Sequence, residues 1–269
     1  MLRNRSLARA SQHSDIIDQE IAMRIPLLAS LLLATTLSPV HADEQATPAH
    51  WGYQGKDAPS HWGELSPEFK MCLFGKHQSP INIQRAQHTR HEPLQLTIQP
   101  TAQQLVNNGH TIEVMTGPGT ELTLDGKHYM LQQFHFHTPA ENTLDGHRAP
   151  MEGHFVFSDG KQALVLAVMF TKGDDDRALD AFVAQLAQAP HEPRPLTPAV
   201  DIHAMMPNTL HYYRFTGSLT TPPCTENVTW LLLDHPVQLA PSQLDAFRHA
   251  IGQHNNRPTQ PLNDRVVTD

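Results

Sequence analysis

The chain has few positively charged residues and no apolar run long enough to cross a membrane. Its 269 residues include 19 Lys and Arg against 27 Asp and Glu, a formal net charge of -8 at pH 7. Proteins that bind nucleic acid carry clustered Lys and Arg, so this composition excludes a nucleic-acid partner. The longest apolar stretch, residues 25–37, is too short to be a membrane span. With 39% hydrophobic residues and no internal repeat, the chain is expected to be a soluble globular protein.

The N-terminal region has the pattern of an export signal. Arg24 precedes the apolar stretch, and small residues around Ala42 suit a cleavage site. Three acidic residues farther upstream dilute the positive charge that such signals carry, so we expect translation to begin at Met23. Residues 1–42 are therefore predicted to be a removable export signal, and residues 43–269 one domain that is periplasmic or secreted.

Cysteine is scarce, and whether the cysteines are expected to form a disulfide depends on the compartment of the protein. The chain contains Cys72 and Cys224 alone. In an oxidising compartment such a pair is expected to form a disulfide, although two free buried thiols remain the alternative. A bridge that closes so long a loop would stabilise the fold by roughly 4–5 kcal/mol and would anchor the segment after Thr220 and Thr221.

The secondary-structure signals are mainly those of antiparallel β-structure. Two helices are expected, at residues 174–187 and 242–253, the second with Ser242 as its N-cap. The fold class is therefore predicted to be mainly β with a few short helices. Alternating or β-branched stretches predict strands at residues 94–98, 110–115, 121–124, 129–137, 152–157, 163–170 and 228–233.

Histidine is as frequent as Lys and Arg together, and only spacing can single out metal ligands among its 19 copies. In a strand, residues two apart share a face, so His135 and His137 lie on one side together with Gln133. His154 lies in another strand pattern that an antiparallel pairing can bring alongside. Three neutral imidazoles leave a fourth position open, which is the arrangement of a catalytic zinc site. Gln133 and Glu152 are each two residues from a ligand and can orient its imidazole.

Beyond these ligands, the chain contains several specific short motifs. Besides Trp230, they are residues 50–53 (HWGY), 78–83 (QSPINI), 107–110 (NNGH), 133–137 (QFHFH), 151–154 (MEGH), 217–224 (GSLTTPPC) and 255–258 (NNRP). With these motifs the sequence resembles the α-class carbonic anhydrases over nearly all of residues 43–269. The resemblance implies a single domain around a twisted central sheet of about ten mostly antiparallel strands, with zinc at the base of a conical cleft. It also implies inhibition by sulfonamides and anions, and a monomer or homodimer.

The same resemblance implies a role for each remaining site residue. A zinc-bound hydroxide would attack carbon dioxide to give bicarbonate and a proton. Thr220 would accept a hydrogen bond from the hydroxide and donate one to Glu141, and His110 would carry the proton to solvent. Tyr53 and Asn108 would organise the waters on that path. Substrate-binding positions are Thr221, Val156, Leu219, Val228 and Trp230, and Asn255 joins Gln133 and Glu152 behind the ligands.

Two positions depart from the family pattern, and two other function classes stay open. Phe215 replaces a frequent tyrosine, and Glu113 replaces a frequent neutral amide. Glu113 is expected to raise the pKa of His110. His135, His137 and Glu141 also fit a metal-dependent cupin, although that class expects its last histidine much farther along the chain. A non-catalytic zinc-binding module on the same fold is the other alternative. The chain lacks the His-Glu-x-x-His pattern of zincin proteases.

Overall fold

The structure is a computed structural model that describes residues 49–174 and 177–269. The predicted export signal, Met23 and Ala42 lie outside these residues. Strands of the described residues are β1 (Asn82–Ile83), β2 (Gln95–Thr97), β3 (Gln103–Asn107), β4 (Ile112–Thr116), β5 (Glu121–Leu124), β6 (Lys127–His137), β7 (Thr143–Leu144), β8 (Met151–Ser158), β9 (Ala163–Lys172), β10 (Arg194–Pro195), β11 (Tyr212–Ser218), β12 (Glu226–Leu233) and β13 (Val237–Leu239).

Eleven of these strands form one mixed sheet. Its main order is β10-β3-β4-β6-β8-β9-β12-β11, with β13 paired to β9 and β5 linking β6 to β2. Most neighbours are antiparallel, but β9 runs parallel to both β12 and β13. The remaining strands, β1 and β7, form a separate parallel pair. The prediction of a mainly β fold around a large, mostly antiparallel sheet of about ten strands is thus confirmed.

All seven predicted strands are present, β5 with the predicted bounds and the others with one or both ends shifted, and six further strands of the described residues were missed. Among the missed strands, β3 has the sequence QQLVN, in which the polar Gln103 is buried. A polar residue in a strand pattern is expected to be exposed. Gln103 can be buried because both polar atoms of its side chain bond the backbone of Val200, at 2.9 Å each. The missed β11 contains Arg214 and Gly217, which weaken a strand pattern.

Helices are short, as expected, but both predicted helices begin at other residues. The first α-helix of that region begins at Asp180, after a 3-10 turn, and residues 175–176 are outside the described part. The second begins at Pro241 with Ala240 as N-cap, so the prediction of Ser242 as N-cap is wrong. Proline suits the first helical position because it has no N–H to leave unbonded. Helices are α1 (Trp62–Leu65), α2 (Met71–Phe74), α3 (Asp180–Leu186) and α4 (Pro241–Ile251), and 3-10 turns are Gly55–Asp57, Pro67–Phe69, Arg177–Leu179 and Ile202–Met205.

The sheet separates two apolar clusters. Phe134 and Phe136 of β6 point to the larger cluster, where they pack against Phe182 of α3, and Phe136 also packs against Phe247 of α4. The smaller cluster lies on the opposite face and includes Trp230 of β12. Because residues alternate along a strand, the phenylalanines of β6 hold its histidines on the face of the smaller cluster.

Cys72 and Cys224 form the predicted disulfide. It joins α2 to the segment before β12 across a sequence separation of 152. Within the described part of the chain, none of the helices is long and apolar enough to cross a membrane.

Candidate metal centre

Strand pairing brings the three predicted ligand histidines together. In the register of β6 and β8, His135 lies opposite His154, and His137 lies two residues farther along the same face. One ring nitrogen from each of His135, His137 and His154 lies within 4.8 Å of the others. In the part of the chain that the structure describes, this is the one group of three such side chains able to hold a metal ion.

Each imidazole is oriented through the nitrogen that the metal would not use. Nδ1 of His135 donates to Oε1 of Gln133 at 2.8 Å, and Nδ1 of His137 donates to the backbone carbonyl of Asn255 at 2.7 Å. Nε2 of His154 lies 3.0 Å from Oε1 of Glu152. These contacts leave Nε2 of His135 and His137 and Nδ1 of His154 for a metal ion.

The protonation of the site suits a metal. Burial lowers the pKa of His135 well below its usual value, and His137 and His154 lower it further. Burial also lowers the pKa of His137. Nε2 of His137 is buried and has no hydrogen-bond partner among the described residues. A nitrogen that binds a metal ion needs no such partner. Neutral imidazoles with converging free nitrogens therefore fit a divalent cation.

Glu152 is a fully buried carboxylate held ionised by its neighbours. Burial alone would raise its pKa, but His154 and the hydrogen bonds from Asn142 lower it to about 2. The backbone N–H groups of Glu141 and Asn142 donate to Oε2 at 2.7 and 2.8 Å, and Nδ2 of Asn142 donates to Oε1 at 2.7 Å. A fixed negative charge thus lies directly behind His154.

Glu141 is also fully buried, and only one of its oxygens is bonded. The backbone N–H of Arg257 donates to Oε1 at 2.7 Å. Oε2 is buried and accepts no hydrogen bond of normal length from the described residues. Burial raises the pKa of Glu141 to about 7. The nearby Thr220 hydroxyl opposes this shift, because it acts as a hydrogen-bond donor to the carboxylate. Thr220 and Glu141 are therefore adjacent without a fully formed bond between them.

His110 lies at the opposite side of the cleft, stacked on an aromatic ring. Its imidazole is 3.7 Å from the ring of Trp51, centroid to centroid, at an angle of 6°. Burial lowers the pKa of His110, and the neighbouring His50 lowers it further. The expectation that Glu113 raises this pKa is wrong, because burial and His50 together lower it. The Glu113 carboxylate accepts a hydrogen bond from Nδ2 of Asn108 at 3.2 Å.

The cleft contains all three predicted proton-path residues, which are His110, Tyr53 and Asn108. Oδ1 of Asn108 accepts from the backbone N–H of His110 at 3.0 Å, which holds the loop that carries the imidazole. Burial and then Glu141 raise the pKa of Tyr53 well above its usual value, so its hydroxyl stays protonated. The cleft has a volume of about 120 Å³ and is lined by Trp51, Tyr53, Asn108, His110, Thr111, Glu113, Gln133, His135, His137 and Thr221.

The apolar half of the site lies beside the cleft, in and against the smaller cluster. It contains the predicted substrate-binding residues Val156, Leu219, Val228 and Trp230, none of which is among the residues that line the cleft. Leu219 and Val228 line a separate cavity of about 510 Å³. The ring of Trp230 lies 4.9 Å from that of His154, and its Nε1 donates to the carbonyl of Ser218 at 3.0 Å.

One apolar residue of this half was missed from the sequence. Val165 of β9 lies opposite both Val156 and Trp230 in the sheet and belongs to the same cluster. Alternation within β9, which separates Val165 and Ala167 from Leu164 and Leu166, was the available signal. Phe215, the departure noted in the sequence, is buried and stacks on Trp230 at 5.9 Å.

The cleft is not the largest cavity. A cavity of about 530 Å³ lies between residues 88–94 and 210–213, and its lining includes none of the three clustered histidines. This larger cavity and the converging histidines therefore lie at different places in the molecule, and the histidines identify the functional site.

The comparisons with known proteins agree with this geometry. Residues 57–269 match the family model described as eukaryotic-type carbonic anhydrase. A carbonic anhydrase of Pectobacterium carotovorum is 46% identical over 238 residues, which cover 88% of this chain and 98% of that protein. A carbonic anhydrase of Neisseria gonorrhoeae is 43% identical over 90% of this chain and 96% of its own length. The solved α-carbonic anhydrase of Thermovibrio ammonificans, in complex with the inhibitor sulfanilamide, is 42% identical with a TM-score of 0.80, covering 83% of this chain and all of that one.

Proposed function

The chain belongs to the α-carbonic anhydrase family and is a carbonic anhydrase, and from this premise we propose that it hydrates carbon dioxide with a zinc ion held by His135, His137 and His154. The observation that carries the proposal is the convergence of three imidazoles, each with a partner group next to its other ring nitrogen. Bound zinc lowers the pKa of its water to roughly 7 in carbonic anhydrases as a class, a value taken from that class and not from this structure.

Stopped-flow hydration of carbon dioxide, with zinc content measured on the same sample, tests the proposed metal. We expect one zinc ion per chain, loss of activity on chelation and recovery when zinc is returned. Zinc-free protein that hydrated carbon dioxide at the zinc-loaded rate would contradict it.

Thr220 and Glu141 are proposed to orient the nucleophile. Since Oε1 of Glu141 is occupied by the N–H of Arg257, the free Oε2 is left to accept a hydrogen bond from the Thr220 hydroxyl. A hydroxyl has one proton, so a Thr220 that donates to Glu141 can only accept on its cleft side. This arrangement selects a nucleophile that donates to Thr220 and turns its lone pair toward the substrate.

The apolar half of the site is proposed to hold carbon dioxide. Val156, Val165 and Trp230 present carbon surface beside the histidines, which suits an uncharged linear molecule. Thr221 lies in the polar lining, where its hydroxyl can bond the charged product bicarbonate.

His110 is proposed to pass the released proton to solvent, with Tyr53 and Asn108 arranging water between it and the metal. Replacing His110 with Ala should lower kcat in dilute buffer by up to about 100-fold and leave kcat/KM nearly unchanged, because proton export follows product release. Added imidazole should restore the lost rate. Stopped-flow measurements at several buffer concentrations check this, with the exposed His249→Ala as the matched control. Equal losses in the two parameters, or no rescue, would show that His110 is structural.

The pH dependence of kcat follows from the same imidazole. A shuttle must be neutral to accept a proton, and burial keeps the pKa of His110 below its usual value. The kcat profile should therefore rise at a lower pH than a free imidazole would give. Since Glu113 does not set this pKa, Glu113→Gln should leave the profile nearly unchanged.

Inhibitor binding follows from the proposed metal. The Thermovibrio ammonificans structure contains sulfanilamide, and we propose that the metal centre of this chain likewise binds sulfonamides and simple anions. A monomer or homodimer stays a prediction.

Export is proposed from two features, the N-terminal signal pattern and the disulfide, which persists in oxidising compartments. The mature, periplasmic or secreted protein should begin at Asp43, after removal of a signal that starts at Met23. Intact-mass measurement of exported protein tests this, and a mature chain that retains residues 1–22 would contradict it.

A further inference from the structure

Two neighbouring residues hold both ends of the loop that carries Thr220. Residues 218–224 connect β11 toward β12. At their start, Ser79 and Ser218 exchange hydrogen bonds: the Ser79 N–H donates to Oγ of Ser218 at 2.8 Å, and the Ser218 N–H donates to Oγ of Ser79 at 3.2 Å. At their end, Nε2 of Gln78 donates to the carbonyl of Cys224 at 3.0 Å. Gln78 and Ser79 therefore fix the span of the loop.

A buried arginine joins this pair to Glu141. Nη1 of Arg257 donates to Oε1 of Gln78 and to the carbonyl of Ser79, both at 2.8 Å. The backbone N–H of the same Arg257 is the group that bonds Oε1 of Glu141. One residue thus connects the supports of the Thr220 loop to the carboxylate that Thr220 must meet.

The Arg257 side chain lies in an unusual environment for a cation. It is 2% exposed, and no carboxylate within the described ranges lies at salt-bridge distance from its guanidinium. Burial lowers its pKa to about 10, while Glu141 opposes that shift, so it stays charged at neutral pH. Its other contacts are the carbonyl of Cys72 at 3.2 Å and the ring of Trp62 at 5.7 Å. Hydrogen bonds to neutral acceptors therefore compensate for the loss of water around the guanidinium. They can do so only while these acceptors keep their positions.

Close packing leaves these contacts little freedom. A Cβ on Gly217 would collide with Oγ of Ser79, and a Cβ on Gly75 would collide with Nε2 of Gln78. Gln78 and Ser79 are themselves buried. Glycine is thus required where the backbone approaches each of the two supports.

We propose that Gln78, Ser79 and Arg257, called here the loop bracket, are positioning residues that hold Thr220 against Glu141. The inference deepens the proposed function, because it assumes the roles given there to Thr220 and Glu141. Among the described residues, the side-chain hydrogen bonds of the bracket reach neither the three histidines nor the predicted substrate-binding residues. The bracket acts through the distance between Thr220 and Glu141.

Gln78→Met tests the bracket, because methionine keeps the length of the side chain and removes both of its hydrogen-bonding groups. Gln103→Met is the matched control, since Gln103 is equally buried and bonds a loop through both polar atoms, at Val200 on the other side of the sheet. Both variants should lower the melting temperature. Only Gln78→Met should lower kcat/KM, by roughly tenfold at unchanged zinc content, because small misplacements of catalytic groups are costly.

Two further measurements separate positioning from loss of stability. Hydrogen exchange of the Leu219 and Cys224 amides, which bond within the loop to Thr225 and Thr221, should quicken in Gln78→Met and not in Gln103→Met. In a Thr220→Val background, Gln78→Met should reduce kcat/KM little further, because the group that it positions is gone.

Equal kcat/KM losses in the two glutamine variants, unchanged exchange in the loop, or a full further loss in the Thr220→Val background would overturn the bracket. If Thr220→Val alone left kcat/KM unchanged, the role proposed for Thr220 would fail. The bracket as stated would fall with it, while faster loop exchange would still show that Gln78 holds the loop.

Discussion

Replacing His135, His137 or His154 with Ala should remove most of the bound zinc and reduce carbon dioxide hydration to near the uncatalysed rate. In the proposed site each histidine would supply one of three ligand nitrogens, and two imidazoles hold a metal ion far more weakly than three. Metal analysis and stopped-flow hydration of the three variants measure both losses.

A matched control separates metal loss from general damage. His128 lies on the same strand β6 but is exposed, and its Nδ1 bonds Glu121 at 2.7 Å, away from the cluster. His128→Ala should keep its zinc and its activity. Circular dichroism should show that the ligand variants remain folded. Wild-type hydration in any folded, zinc-free ligand variant would refute the assignment of these three histidines.

Thr220→Val should lower kcat/KM by about 100-fold without loss of zinc. Valine has nearly the shape of threonine and lacks the hydroxyl. The buried Oε2 of Glu141, which has no hydrogen-bond partner among the described residues, would then lack the donor proposed for it, and the nucleophile would lose its proposed acceptor. Misorientation of a reacting group on the scale of 1 Å can cost about 10²-fold. Thr220 is not a ligand, and the metal site should therefore stay filled.

Thr220→Ser is the control for this change, because it restores the hydroxyl and removes only a methyl group. It should recover most of the activity that Thr220→Val loses. Stopped-flow kcat/KM together with zinc content checks both variants. A valine variant with wild-type kcat/KM, or a serine variant as slow as valine, would show that the hydroxyl does not orient the nucleophile.

Local pattern was sufficient to predict β6 and β8, and insufficient for the pairing of strands that lie far apart in the chain. Period-two alternation places His135 and His137 opposite Phe134 and Phe136, and the structure keeps that division. The parallel pairing of β9 with β12 has no such signal, because its register is set by a long crossover. Ser242 was preferred as N-cap on residue type alone, whereas Pro241 begins the helix.

The same limit applies to the site's electrostatics. Glu113 was expected to act on His110 because the family resemblance places it on the shuttle side of the cleft. In the structure its carboxylate bonds Asn108, and burial is the main cause of the shift in the pKa of His110. A pKa depends on solvent exclusion and on charges from every packed element, which sequence distance does not give.

By itself, the sequence determined the family, the sheet-rich fold and the three histidines that share a cleft, because strand periodicity and short motifs are local properties. Only the tertiary structure decided which atoms support that centre. The carbonyl of Asn255 behind His137, the N–H of Arg257 on Glu141 and the hold of Gln78 on Cys224 join residues more than 100 positions apart. Such contacts depend on how the sheet and its loops close in space, and no local pattern of residues specifies that closure.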